Sequence, residues 1–318
     1  TSVIALGCYQ DCWSGMYYIV GFANLIYALL IAFIALRLLG KDRGVSATIL
    51  VLMATLVSCY IYTAYPPRLA TPSITPSTGG LRFFPCALLL SYLVFESDKT
   101  WAWLQKTVGH IIWGIGLLWS PESAFHVTFV WGPYYIWRST LNDTGQFFSV
   151  MEVLKHMFVL LSIGLGFVVV FSAIYYALFS LMPSIEGVFA YIMYPPLPLP
   201  FGFSGAFLFY SFGFFVALVG FFVSIYFNND QIYLRKVFPI LLALYAVSSY
   251  YLGRSIDNNL LNIMPFMMLA LFITVTLPQR VELLRLVGVT MISCVIAITA
   301  TFGWSSYWEP TIEAGNIT

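Results

Sequence analysis

The chain is 318 residues long, 60% hydrophobic and only 8% charged, with a formal net charge of +1. Soluble globular domains carry about 25% charged residues, so this composition excludes an ordinary water-soluble domain. The near-neutral balance leaves no basic patch of the kind that binds nucleic acid.

In chain order, the apolar runs predict about ten spanning helices, at 15–38, 46–63, 81–95, 107–120, 123–137, 156–182, 203–227, 237–252, 260–277 and 286–303. Each is read against the ~20 residues a bilayer-crossing helix needs. The expected fold class is an all-α polytopic membrane protein, a single transmembrane domain over 1–318. The runs 107–120 and 123–137 are short, and the Trp119–Ser123 turn between them leaves two readings open. They form either a hairpin of spans or a partly re-entrant pair. The chain begins at Thr1 with neither a Met nor a positively charged leader, which predicts further sequence upstream rather than a signal peptide.

Lys and Arg in the connections give the orientation, because cytoplasmic loops accumulate them. Arg37, Lys41, Arg43, Lys99, Lys106, Arg138, Lys155, Arg235, Lys236, Arg280 and Arg285 fall in one set of connections. Only Arg68, Arg82 and Arg254 fall in the other. The first set is therefore expected in the cytoplasm. Loops 1–14, 64–80, 183–203 and 253–259 and the tail 304–318 are then external. An inner N-terminus would require one further span before Thr1. Cys8 and Cys12 lie one helical turn apart, so a disulfide is open to them only in an oxidising compartment. Cys59, Cys86 and Cys294 sit in apolar runs and are expected as buried thiols.

The outer face collects the unusual polar residues. In Gly253-Arg254-Ser255-Ile256-Asp257-Asn258-Asn259, an Arg suited to phosphate adjoins Asp and Asn suited to hydroxyls. The plain alternative is an Arg254–Asp257 pair closing a turn. Pro76-Ser77-Thr78-Gly79-Gly80-Leu81-Arg82 joins a Gly-bearing turn to an Arg, an arrangement that can cradle an anion. Equally, Arg82 could reach toward lipid head groups. Glu122 opens a span, with His126 one turn on along the same face. Together they could bind a metal or share a proton, or His126 could simply pack. An unpaired carboxylate at that depth is expensive, so Glu122 is expected to pair with Arg82 or Arg254.

Asp11 precedes the first span, as a general base, as a ligand for a divalent cation, or as an acid favoured by the helix N-terminus. Glu186 begins an external segment that ends in a proline-rich run to Pro200, read as a short surface helix and an extended strand. His110 and His156 lie at cytoplasmic ends of spans without a partner at ligand spacing. Trp13, Trp119, Trp304, Tyr307 and Trp308 suit either the interfacial belt or stacking on sugar rings.

Three stretches carry a resemblance: Tyr250, Gly253-Arg254-Ser255 and Asn258-Asn259-Leu260; Pro76 to Phe83; and Trp119-Ser120-Pro121-Glu122-Ser123. Together they resemble multi-spanning bacterial glycosyltransferases of the lipid-linked-sugar (GT-C) type. The resemblance implies a GT-C-like fold in the bacterial inner (plasma) membrane with its active face outward. It implies a sugar donor on polyprenyl phosphate, and a glycan, lipid or protein acceptor. In that family an acid of the first external loop is the base, and Asp11 matches it if one span precedes Thr1.

The resulting expectation is a donor phosphate held by Arg254 and Arg82, and a sugar held by Asp257, Asn258, Asn259 and Ser255. Asp11 or Glu122 would deprotonate the acceptor hydroxyl, with inversion at the anomeric carbon. No cofactor is implied beyond a divalent cation that Asp11 could hold, and no metal site is assigned. Two rivals stand beside this reading. One is an O-antigen-type polymerase or ligase; the other is a non-enzymatic scaffold subunit or a transporter. A transporter should place polar residues at mid-membrane, whereas these crowd one face.

Overall fold

The computed structural model describes residues 12–40, 44–56, 59, 80–97, 102–140, 149–184, 186, 204–227, 231–253 and 257–297. Their side chains are described over 21–251 and 259–297, except 56, 261 and 279. These residues are helical and hold no strand. The helices are α1 (Cys12–Leu39), α2 (Val45–Leu56), α3 (Gly80–Glu96), α4 (Trp103–Trp119), α5 (Pro121–Thr140) and α6 (Val150–Phe179). There follow α7 (Gly205–Phe227), α8 (Gln231–Gly253), α9 (Asp257–Asn262), α10 (Met264–Val275), a 3-10 turn (Gln279–Val281), and α11 over 282–297. Each predicted apolar run is largely helix where it is described, with Ser120, 180–182, Ser204, Ile263 and 276–277 falling outside the helices.

The helix ends follow from local chemistry. Gly40 closes α1 at φ +81°, a left-handed position that glycine adopts without a Cβ clash. Ser180 does the same for α6 at φ 54°, its N–H donating to the Tyr176 carbonyl at 2.8 Å. The 260–277 run is not one helix but two. Pro265 has no N–H to give the Leu261 carbonyl, and the chain breaks at Ile263 before α10 begins. Between α4 and α5 a single extended residue, Ser120, turns the chain. Its Oγ accepts from the Ser123 N–H at 3.1 Å and its carbonyl from the Ala124 N–H at 2.8 Å. Ser120 is thus an N-cap, with Pro121 in the first helical position and Glu122 in the first turn. The two short runs are a helical hairpin.

Among the described residues, four helices are long and apolar enough to cross a membrane: 21–39 of α1, α6, α7, and 231–251 of α8. The core sits around α10, whose residues Met264 to Thr274 are all buried. It is enclosed by α1, α7 and α8, and Gly288 of α11 presses directly on Thr274. By contrast α6, 30 residues and about 45 Å long, buries only Leu160. It packs against both α4 and α5, meeting α4 through close glycine contacts, Trp113 against Gly164 and Phe167 against Gly114. Among the cysteines, Cys59 and Cys86 are buried and Cys294 is partly exposed; Cys8 lies outside the described residues.

Candidate functional site

The three stretches singled out by the sequence meet at one end of the bundle. Arg82, at the start of α3, sets its Nε 3.0 Å from Oε2 of Glu122, at the start of α5. The same guanidinium lies 4.3 Å above the ring of Tyr250, near the end of α8, at cation–π range. The Trp119 indole N–H donates to the Leu81 carbonyl at 2.9 Å, and its ring stacks on Phe84 at 6.0 Å. Beneath this layer, Phe83 packs edge-on against Tyr250 at 6.0 Å and Phe266 at 5.7 Å, and tilts against the His126 ring at 5.7 Å. The start of α3 is itself fixed by Asn24 of α1, whose Oδ1 accepts from the buried Gly80 N–H at 2.7 Å.

The pair Arg82–Glu122 answers the expected cost of a carboxylate at that depth. It remains open on one side: the Glu122 side chain is 40% exposed and that of Arg82 17%. One guanidinium nitrogen of Arg82, Nη1, is buried without a hydrogen-bond partner among the described residues, as are Ser123 Oγ and His126 Nδ1. Ser123 and His126 are almost wholly enclosed. Of the other predicted residues, Asn259 is buried in α9. Asp257 and Asn258 lie on the same short helix, with side chains outside the described residues. Asp11, Arg254 and Ser255 fall outside the described residues altogether. Among the described residues, no group of three His, Cys, Asp or Glu could hold a metal ion.

A second polar cluster, at the opposite ends of the same two helices, was not anticipated. Glu96 ends α3 and Arg138 lies in the last turn of α5; Arg138 Nη2 is 3.7 Å from Glu96 Oε2, with both side chains enclosed. The Tyr134 hydroxyl donates to Glu96 Oε1. The Tyr92 hydroxyl, one turn before Glu96, donates to the Gln105 carbonyl of α4 at 2.5 Å. Nearby, the Trp131 indole N–H donates to His110 Nδ1 at 3.1 Å, and His156 Nδ1 lies 3.3 Å from the Tyr135 hydroxyl. Both histidines are therefore held by tertiary partners that spacing along the chain could not reveal.

Glu122 and Arg138 start and end α5, while Arg82 and Glu96 start and end α3. Start pairs with start and end with end, so the two helices run in the same direction. The paired residues are separated by about 21 Å along α3 and about 24 Å along α5 at 1.5 Å per residue.

Compared with known proteins, the chain matches no family model, no curated protein and no solved structure. Its fold and composition define an all-helical protein that fits the class of helical membrane proteins, with an ion pair open at one end of the bundle and another sealed at the other.

Proposed function

We propose that the chain is a membrane glycosyltransferase that uses a sugar carried on polyprenyl phosphate, working at the outer membrane face. In this reading all the apolar helices span or line the bilayer, about ten in all, with the Arg82–Glu122 end outward. Arg254 is the principal phosphate ligand. Arg82 adds its free Nη1 edge where phosphate meets sugar, and Asp257, Asn258, Asn259 and Ser255 hold sugar hydroxyls. The acceptor hydroxyl oxygen attacks the anomeric carbon, and the bond from that carbon to the phosphate oxygen breaks. Polyprenyl phosphate departs with the electron pair, and a carboxylate takes the hydroxyl proton. Asp11 is the better base of the two candidates, because Glu122 already commits an oxygen to Arg82. Glu122 then holds the guanidinium in place.

The observation that carries this reading is the meeting of the three outer motifs on Arg82, from α3, α5 and α8. A cation braced by a carboxylate and an aromatic face, among further aromatic rings, suits a phosphorylated sugar. The test is sugar transfer from polyprenyl-phosphate donors by protein reconstituted in bilayers, with Asp11→Asn, Arg82→Ala and Arg254→Ala compared singly. Loss of transfer at Arg82 and Arg254 with retained folding is the expected result. Full activity in all three variants would dismiss the reading.

A further inference from the structure

We propose that Ser123 and His126 form a hydroxyl-binding floor beneath the Arg82–Glu122 pair, a subsite for the neutral sugar ring of the donor rather than for its phosphate. The inference rests on the glycosyl-transfer reading above. Ser123 and His126 are only 1% and 2% exposed, lie one turn apart on the same face of α5, and carry polar atoms without partners. Leaving such atoms unpaired in an apolar interior carries their full desolvation penalty.

Several other buried hydroxyls are satisfied within their own helices. Thr55, Ser91 and Ser224 each donate to the carbonyl one turn back, at 2.7–2.8 Å. Ser123 stands in the first turn of α5, where the residue four back is Trp119 of the preceding helix. It has no such carbonyl in its own helix. His110 and His156 each find a hydrogen-bonding partner at Nδ1; His126 Nδ1 finds none.

Charge decides the class of ligand. Glu122 balances Arg82 at 3.0 Å, so the groups beneath the pair offer hydrogen bonds rather than net charge, which suits the sugar end of the donor while its phosphate lies toward Arg254. A hydroxyl both donates and accepts. It can therefore serve Ser123, either tautomer of His126, the free Arg82 N–H and a Glu122 oxygen alike. Phe83, fully buried, backs His126 and Tyr250 from below, and the partly exposed Tyr250 ring offers the apolar face that a sugar needs.

The experiment measures binding of two kinds of probe to the protein in nanodiscs: polyprenyl phosphate alone, and polyprenyl phosphate bearing a hexose or an N-acetylhexosamine. Ser123→Ala and His126→Leu should each weaken the sugar-bearing probes by about 3- to 10-fold, the loss of one hydrogen bond. Binding of the sugar-free lipid should stay within about twofold. Ser123→Thr and His126→Asn, which keep a polar atom in place, should restore sugar binding. Ser123→Ala removes one oxygen only and carries the test should His126→Leu unfold. Equal weakening of both probes, or no weakening of either, overturns the subsite. Failure of the unaltered protein to bind any sugar-bearing probe overturns the glycosyl-transfer reading with it.

Discussion

Substituting Glu96 offers the sharpest test of how the bundle is held. Glu96 is 1% exposed and Arg138 7%, and their charged atoms stand 3.7 Å apart. At an effective dielectric of about 20 their Coulomb attraction is about 4–5 kcal/mol. Most of that offsets the desolvation of two ions, so the pair adds little over a well-packed apolar one. Removing a single partner is different, because it strands a buried charge, and typically costs about 3–5 kcal/mol. Glu96→Leu also takes an acceptor from Tyr134. We expect Glu96→Leu and Arg138→Met each to destabilise by about 3–5 kcal/mol, and the double variant to recover at least half of the summed loss. Glu122→Gln, at the 40% exposed outer pair, should cost at most about 1 kcal/mol despite its shorter distance. The assay is reversible unfolding in mixed detergent micelles, followed by circular dichroism. Strict additivity of the two inner substitutions would refute the argument, and so would a larger cost at the outer pair.

Other expectations follow from the same contacts. In Gly80→Ala the new Cβ would lie 2.8 Å from the Asn24 Cα, so α1 and α3 must part. It should destabilise by about 1–3 kcal/mol or more in the same unfolding assay, and Asn24→Ala by about 1–3 kcal/mol through the stranded Gly80 N–H. In a cysteine-free background, Glu122→Cys should react with an impermeant maleimide from outside the cell, and Lys155→Cys only after the membrane is opened. Labelling of both from one side would contradict the proposal that α5 spans the membrane. Arg82→Lys keeps the charge but loses the planar fork over Tyr250; kcat/KM for sugar transfer should fall about 10-fold or more while the melting temperature barely moves. An unchanged kcat/KM would remove Arg82 from the site.

How much of this was legible beforehand depends on whether a feature is local. The Arg82–Glu122 pair was, because an acid opening an apolar run needs a cation, and Arg82 was one of the two expected partners. The start of α5 was written in Ser120-Pro121-Glu122, a cap, a fixed φ and an acid in sequence. The Glu96–Arg138 pair was not. Each residue looked like an ordinary charge at a span end, and their meeting depends on α3 and α5 being parallel neighbours. Asn24 left a faint signal, a lone amide in the run Ala23-Asn24-Leu25, of the kind that glues helices in membranes. Hydropathy could not separate α10, wholly enclosed, from α6, almost wholly exposed. Both are apolar all round, and lipid solvates such a surface as well as protein does.

The two ends of the α3–α5 pair have unequal duties. The inner pair is sealed and its geometry is backed by Tyr134, so it fixes the register of two parallel helices without inviting a ligand. With that register set, the opposite end can remain open and still be ordered. Arg82 is held there by Glu122 on one side and Tyr250 on another, while the chain next to it is pinned through Leu81 by Trp119 and through Gly80 by Asn24. A long cationic side chain normally loses rotamer freedom on meeting its ligand, at about 0.5–1.5 kcal/mol. Here that ordering has already occurred in the fold. On the proposed reading the partly exposed end is thus the end prepared for recognition, and the buried one is the frame that keeps it so.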